Sequence, residues 1–427
     1  MPFSKITKAT WNNFFGFALI ERMGINNMKD INKRFFALAL AVFMVVSFAA
    51  CGKAEPEVTT GDSEPLTTTA ATVSETTAET TAASKSETVS ETEGPSHFVT
   101  GTVATSATDT TEPVPAVTVN YLTGLPLAEG ENELFRPFIC TINNLKIAAK
   151  NHRGISKADI IYEVEVEGGI TRLLAVFSDT EGVGDIGPIR SARPVMNCIV
   201  LGHDGYFGHA GGSDQAKSEL AAYGMADIDG SGRYGRFFFY DDAVVKATSL
   251  EHGYYTNGDN IVSAINAYHS NGGRSEVSDG HNNLFTFFSE VSDLAGGQPC
   301  AKIETSYNSY KPCFVYDEET GKYGREQYGA AHIDSATGEQ LVFDNVIVLS
   351  VTSRVVDKSG HRDFDDVGSG VGILATHGTY INIKWEKDTY TSPLVLTTED
   401  GTPITVNTGK TFISYVNGES NISVSAE

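Results

Sequence analysis

The chain has 427 residues and a formal net charge of -23 at pH 7. Binding to a nucleic-acid backbone is excluded by this charge, because a protein that neutralises phosphates needs a basic surface. Composition also changes along the chain, and only the part from about Thr118 onward has the mixture of residues expected of a globular fold.

The first predicted element is an export signal in residues 1–51. Lys29, Lys33 and Arg34 precede an apolar run, 35–50, that ends in two alanines before Cys51. This order is typical of a secretory signal, and the small-small-Cys ending resembles bacterial lipoprotein signals. The alternative is a membrane-spanning anchor, but the run is shorter than the roughly 20 apolar residues that a spanning helix needs.

We therefore expect lipidation of Cys51 and anchoring to the outer face of the bacterial cytoplasmic membrane. Because such signals usually begin with a basic residue directly after methionine, translation could start at Met28 or at Met23. Residues 52–117 are dominated by Thr, Ser, Ala and Glu, so they predict a disordered tether with a reach on the order of 45 Å.

Beyond the tether, the apolar pattern predicts strands and then helices, before the chain becomes rich in strands. The predicted strands are 160–166 and 170–177, and the predicted helices are 194–202, 214–223, 260–268 and 284–294. This order favours an α+β fold, with a mixed α/β region followed by a smaller and mostly antiparallel β region.

Several polar motifs after the tether resemble the YerB-like family of bacterial lipoproteins (domain of unknown function 3048). The residues that carry the resemblance are 120–126, 136–144, 157–163, 166–172, 186–194, 251–256, 316–317, 323–325, 332–334, 337–338, 345–348, 385 and 409–412. The resemblance covers nearly everything after the tether. It implies an N-terminal region over 118–297 and a β-rich C-terminal region over 298–427, and it implies no assigned biochemical activity.

An acidic strand face is the first candidate for chemistry. Glu163, Glu165 and Glu167 alternate with two valines, so the three carboxylates should share one face of a strand. They could line an acidic cleft for binding or for acid/base cleavage of glycans. The alternative is a solvated face with an ordinary ion pair.

The arginines that follow in the sequence are relevant to both interpretations of the acidic face. Gly168-Gly169 predicts a tight hairpin turn, and counting back from a two-residue turn places Arg172 opposite Glu165. Ser191 is the predicted N-cap of a helix that starts at Pro194, which would bring Arg190 and Arg193 to the positive end of that helix. The arginines then bind either an anionic ligand or the glutamates of the protein itself.

Two histidines complete the candidate site. His209 lies in a Gly-rich segment that precedes Ser213, the predicted N-cap of the next helix, and His252 is followed by Tyr254 and Tyr255. Either imidazole could bind a polar ligand or be a half-buried structural group. We predict that Glu163, Glu167, Arg172, Arg190, Arg193, His209 and His252 line one concavity, as a ligand site or as an ion-pair network.

No cofactor or metal site is expected from the motifs. His332 and Asp334 form only a two-ligand pattern, and Walker, HExxH and dinucleotide motifs are missing from the sequence. Cys300 and Cys313 could form a disulfide outside the cell, or they could be ordinary buried residues, which we favour.

Three functions are compatible with these features. The first is a membrane-anchored lipoprotein with a binding or scaffolding role, whose partners are cell-wall polymers or another envelope protein. The second is a hydrolase or transferase that acts on cell-wall glycan or peptide. The third is the solute-binding component of an importer, which the β-rich C-terminal region disfavours.

Overall fold

The computed structural model describes residues 118–427 except Gly280, Asn282 and Ser309. All of the described residues fall within one compact unit. The predictions for the export signal, for Cys51 and for the tether lie outside the described residues. Within 118–427, apart from those three positions, no helix has the length and apolarity needed to cross a membrane.

The helices of the described residues all lie in the N-terminal region, apart from a 3-10 turn near the C-terminus. The α-helices are α1 (Lys146–Ala149), α2 (Pro194–His203), α3 (Asp214–Ala222), α4 (Asp242–Ala247) and α5 (Gly258–His269). The 3-10 turns are Ile155–Lys157, Glu167–Gly169, Gly235–Phe237, Leu250–His252 and Glu419–Asn421.

Strands are present in both regions. Those of the N-terminal region are β1 (Phe138–Asn143), β2 (Ile160–Glu165), β3 (Thr171–Phe177), β4 (Asp185–Ile186), β5 (Tyr206–His209), β6 (Ala226–Asp229), β7 (Phe239–Tyr240), β8 (Tyr254–Asn257) and β9 (Thr286–Phe287). Those of the C-terminal region are β10 (Gln298–Pro299), β11 (Lys302–Thr305), β12 (Cys313–Asp317), β13 (Lys322–Gln327), β14 (Ala330–Ala331), β15 (Val342–Phe343), β16 (Asn345–Ser350), β17 (Ser353–Val355), β18 (Arg362–Phe364), β19 (Gly368–Thr376), β20 (Thr379–Lys387), β21 (Val395–Thr398), β22 (Thr405–Val406), β23 (Thr411–Val416) and β24 (Ile422–Ser425).

The main sheet joins the two regions. Its eleven strands follow the order β10-β20-β19-β16-β23-β2-β3-β1-β5-β6, with β21 paired to β20. Strand β23 lies between β16 and β2 and runs parallel to both. Strands from both sides of the predicted boundary between 297 and 298 therefore share one sheet.

The remaining strands form smaller sheets. One has six strands in the order β14-β13-β12-β11-β24, with β15 paired to β13. The others are β4-β8-β7, β17-β18 and β9-β22. The predicted α+β class is confirmed. The C-terminal region is mostly antiparallel, and β16, β22 and β23 are the strands of this region with parallel neighbours.

The central strands are apolar on both faces because both faces of the main sheet are covered. In β3, Leu173 and Ala175 belong to one core cluster, and Leu174 and Val176 belong to the other. The first cluster includes residues of α5 and of the six-stranded sheet, and the second includes residues of α2 and α3. The consecutive apolar residues of β3 thus reflect burial in two cores rather than in one core and solvent.

Most predicted elements of the N-terminal region are confirmed within two residues at each end, but the helix predicted over 284–294 is wrong. Thr286–Phe287 forms β9 instead, which pairs in parallel with β22. Phe285 and Leu294 are buried in the same core cluster. Pairing with a strand more than 100 residues away outweighs the local apolar spacing that suggested a helix.

The hairpin predicted at Gly168-Gly169 is present, but its register differs from the expected one. The loop contains Glu167 as well as the two glycines, whose φ angles are 71° and 73°. Glu165 therefore faces Thr171, and Arg172 faces Val164. The predicted Arg172–Glu165 pair is wrong, because one extra loop residue moves every following side chain to the opposite face.

The cysteines do not form a disulfide in the described residues. Cys300 and Cys313 are both free and buried. Cys313 faces Glu304 across the β11–β12 pair, four residues along the chain from Cys300. The interpretation as ordinary buried residues is confirmed.

Candidate functional site

Polar residues concentrate at one edge of the main sheet, where parallel strands reach their carboxyl ends. Strands β1 and β5 are parallel neighbours, and β6 is parallel to β5. They end at Asn143, His209 and Asp229, respectively. In open α/β sheets, ligands bind outside the carboxyl ends of such strands. This edge is therefore where a site is expected.

Glu163 is fully buried and belongs to an ion pair that the sequence did not predict. Its Oε2 lies 2.7 Å from Nη2 of Arg325, and both side chains have zero solvent exposure. Its Oε1 accepts hydrogen bonds from Thr171 and Asn144, at 2.7 and 3.0 Å. This carboxylate is saturated by protein donors and is closed to a ligand.

Arg325 also orients two histidines in the interior. Its Nη1 lies 2.6 Å from Nδ1 of His332, and Nε2 of His332 lies 2.7 Å from Nδ1 of His152. Because arginine can only donate, His332 accepts at Nδ1 and donates from Nε2, and His152 in turn donates from Nε2 to the carbonyl of Asn143. Both imidazoles are therefore neutral in this chain of hydrogen bonds.

The burial of His152 and His332 is consistent with both imidazoles being neutral. Desolvation lowers the pKa of His152 from 6.5 to about 4 and holds the pKa of His332 well below its ordinary value. Asp334 does not join His332 in a metal shell, since it accepts from the backbone N–H groups of Ser156 and Ala336. Among the described residues, no group of three or more His, Cys, Asp or Glu side chains is arranged to hold a metal ion.

Glu167 connects two of the predicted arginines. It accepts from Nη2 of Arg172 at 3.0 Å, and both its oxygens accept from Arg193, one of them from Nε at 2.9 Å. Burial by itself raises the pKa of Glu167, but the hydrogen bond from Arg193 and the charge of Arg172 outweigh it and lower the pKa to about 2. This group is a bidentate ion-pair network inside the protein.

The helix start beside this network differs from the prediction in one respect. Pro194 occupies the first turn of α2, as expected, but the N-cap residue is Arg193, which makes no side-chain capping bond. Ser191 lies outside the helix and its carbonyl accepts from Arg172 at 2.6 Å. The predicted serine cap is wrong, because the extended backbone continues two residues further than expected.

Arg190 and His252 form a separate contact through Glu251. Arg190 Nη1 lies 3.0 Å from Oε2 of Glu251, and His252 Nε2 lies 3.6 Å from Oε1. The other ring nitrogen of His252, Nδ1, accepts from the side-chain amide of Asn143 at 2.8 Å. Burial lowers the pKa of His252, and the carboxylate of Glu251 partly offsets that effect.

His209 is buried at the end of β5 and orients an aspartate on the neighbouring strand. Its Nε2 lies 2.9 Å from Oδ1 of Asp227, and its Nδ1 lies 2.8 Å from the carbonyl of Gly211. Both ring nitrogens are therefore occupied. His209 cannot serve as a general base without breaking one of these contacts. The exposed polar group of this pair is Asp227, since His209 itself is buried.

An open cavity of about 580 Å³ lies beside this pair, between α3 and the C-terminal end of α5. We call it the β6 groove. Its charged and aromatic lining comprises His209, Lys217, Asp227, Asp229, Arg233, Tyr234 and Tyr268. Leu220 and Met225 contribute apolar surface. Cavities of this size, apolar in part and with a few fixed polar groups, suit small-ligand recognition.

The contacts divide the seven predicted residues into four groups: Glu163 with Arg325, Glu167 with Arg172 and Arg193, Arg190 with His252 through Glu251, and His209 with Asp227. Burial lowers the pKa of Arg172, and the positive charge of Arg190 contributes to the same effect, so two of these groups still interact electrostatically. Of the seven, only His209 lines the β6 groove.

Sequence reasoning missed Asp227, Asp229 and Arg325. The two aspartates alternate with buried Ala226 and Ile228, which is a strand pattern with two carboxylates on one face. That signal was present in the sequence. Arg325 also lies in an alternating strand, but nothing local identifies its partner, which is 162 residues away.

The fold and the groove define an α+β protein with a polar cavity at the carboxyl edge of a mixed sheet. Two family profiles match this chain: the N-terminal domain of "Protein of unknown function (DUF3048)" over residues 122–271 and its C-terminal domain over residues 301–413. The chain belongs to this YerB-like family, as its motifs predicted.

A curated relative and a solved structure agree with this assignment. The chain is 29% identical over 300 residues to "Putative lipoprotein YerB" of Bacillus subtilis (strain 168), covering 69% of this chain and 85% of that protein. The crystal structure of YerB from Bacillus subtilis matches with a TM-score of 0.62 and 28% identity, covering 72% of this chain and 99% of that one.

Proposed function

We propose that this protein is a lipid-anchored binding protein on the outer face of the cytoplasmic membrane, and that its envelope ligand binds in the β6 groove. The observation that carries the binding role is the groove itself, with a carboxylate held in place by a buried histidine. The signal sequence and the naming of the Bacillus subtilis relative as a lipoprotein support the anchor.

A binding role is favoured over a catalytic one because most of the candidate acid and base groups already have hydrogen-bond partners within the protein. Glu163 and Glu167 are engaged by arginines, and both nitrogens of His209 are occupied. Asp227, in contrast, leaves 41% of its side chain exposed. A fixed carboxylate in an open groove can position a ligand without providing acid/base chemistry.

Sedimentation of the full chain with purified cell walls tests the binding role. We expect saturable binding that Asp227→Asn weakens about tenfold, since a hydrogen bond to a charged group is worth roughly 1.5 to 3 kcal/mol. Asp388→Asn, at an exposed position that does not line the groove, is the matched control and should leave binding unchanged. Absence of saturable binding, or equal binding by Asp227→Asn, would contradict the proposal.

The anchor is tested by Cys51→Ala. We expect this variant to accumulate as an unlipidated precursor or to be released from the membrane, because the thiol is the proposed acceptor of the lipid. Detergent-phase partitioning and incorporation of labelled fatty acid provide the measurement, and Ser63→Ala in the tether is the control. Normal partitioning of Cys51→Ala would show that another segment anchors the chain.

A further inference from the structure

The β6 groove has features that specify the kind of ligand it accepts. We propose that it binds an uncharged, polyhydroxylated ligand of the glycan class rather than an ion. This inference rests on the proposed function, since it names the ligand class of the same groove.

Charged side chains of both signs line the groove. Lys217 and Arg233 are both exposed, and in the part of the chain that the structure describes neither makes an ion pair. Asp227 and Asp229 supply two opposite charges on the same wall. Because groups of both signs line the same cavity, the groove does not present a surface of one sign to an anion or a cation. A hydroxyl group, however, donates to a carboxylate and accepts from a basic side chain, so a polyol satisfies both kinds of group.

Both carboxylates are held rigidly before any ligand binds. Asp227 is oriented by His209, as described above. Oδ1 of Asp229 accepts from the backbone N–H groups of Gly211 and Ser231, at 2.9 and 2.8 Å. Prepositioned acceptors reduce the entropy lost on binding, which matters for a hydroxylated ligand that must give up its own hydration.

The aromatic side chain of Tyr268 lines the groove. Tyr268 is half-buried, and it packs edge-on against Tyr206 with ring centroids 5.6 Å apart. A Cβ atom on Gly273 would lie 2.0 Å from Cε1 of Tyr268, so only glycine allows the loop to pack this closely against the ring. An aromatic ring held in this way can contact the apolar C–H face of a sugar while its hydroxyl stays available for hydrogen bonding.

Calorimetric titration of the full chain in detergent tests the ligand class with three probes: an uncharged N-acetylglucosamine tetrasaccharide, inorganic phosphate, and a lysine-containing dipeptide. We expect saturable binding of the tetrasaccharide alone. Asp227→Asn, Arg233→Gln and Tyr268→Ala should each weaken it about tenfold, and Asp388→Asn should not change it. Melting temperatures show whether each variant is folded. Melting temperature matters most for Tyr268→Ala, because Tyr268 is half-buried, whereas Arg233→Gln alters an exposed side chain.

The outcomes separate the ligand class from the proposed function. Failure of the tetrasaccharide to bind, or binding that none of the groove variants weakens, overturns the glycan proposal. Tighter binding of phosphate or of the dipeptide, with the same dependence on the variants, also overturns it. If binding to cell walls still depends on Asp227 in those cases, the groove remains the binding site and only the ligand class is wrong.

Discussion

Replacing Arg325 by alanine is expected to lower the free energy of unfolding by about 3 to 5 kcal/mol, because it leaves the carboxylate of Glu163 buried without a counter-charge. Both side chains have zero solvent exposure, and their oxygen and nitrogen lie 2.7 Å apart. The loss extends further, since Arg325 also donates to Gln327 and Tyr310. Denaturant unfolding of the full chain measures the effect.

The matched control is another arginine of the C-terminal region. Arg354 pairs with Asp363 and Asp365 on the β17–β18 hairpin, but 55% of its side chain is exposed. We expect Arg354→Ala to have a much smaller effect than Arg325→Ala, as is usual for surface ion pairs. Equal effects of the two substitutions would show that the buried pair is not a major source of stability.

A double substitution separates charge from packing. In Glu163→Gln combined with Arg325→Met, neither buried charge is left alone, so the double variant should be more stable than Arg325→Ala. This result is expected because the large penalty comes from an uncompensated charge rather than from the loss of the pair itself. A double variant no more stable than Arg325→Ala would contradict that account.

Acid is expected to destabilise the protein from about pH 6.5 downward, well above the range in which ordinary carboxylates titrate. Burial lowers the pKa of His152 from 6.5 to about 4 and that of His203 from 6.5 to about 3. Between pH 6.5 and 4 the unfolded chain therefore binds protons at these positions that the folded protein does not bind. Stability falls as the pH decreases through this window, by on the order of 3 kcal/mol for each imidazole at pH 4.

Buried carboxyl groups act in the opposite direction and must be considered. Burial raises the pKa of Asp366 from 3.8 to about 6, so this group favours the folded state as the pH falls towards 4. The histidine contribution is therefore best measured by difference. His152→Gln and His203→Gln should each reduce the dependence of the unfolding free energy on pH between 6.5 and 4, relative to the wild type and to His361→Gln on the surface hairpin. Unchanged pH dependence in both variants would show that these imidazoles do not remain neutral in the folded protein.

The sequence by itself determined the elements whose causes are local. Short runs of apolar residues predicted β2 and β3, Pro194 and Ser213 marked the starts of α2 and α3, and the paired glycines marked the hairpin. These features depend on side-chain periodicity and backbone preference within a few residues. The proposed lipoprotein signal at Cys51 rests on a motif of the same local kind.

Only the tertiary structure decided which charges meet. One additional residue in the loop at Glu167–Gly169 moved Arg172 to the other face of the sheet and gave it Glu167 instead of Glu165. Insertion of β23 beside β2 brought the C-terminal region against Glu163 and supplied Arg325 as its partner. The groove depends in the same way on β6 lying at the end of the strand order, with α3 and α5 on its two sides. Strand order and register are set by packing between segments far apart in the chain, so ion-pair partners and cavity walls cannot be read from local patterns.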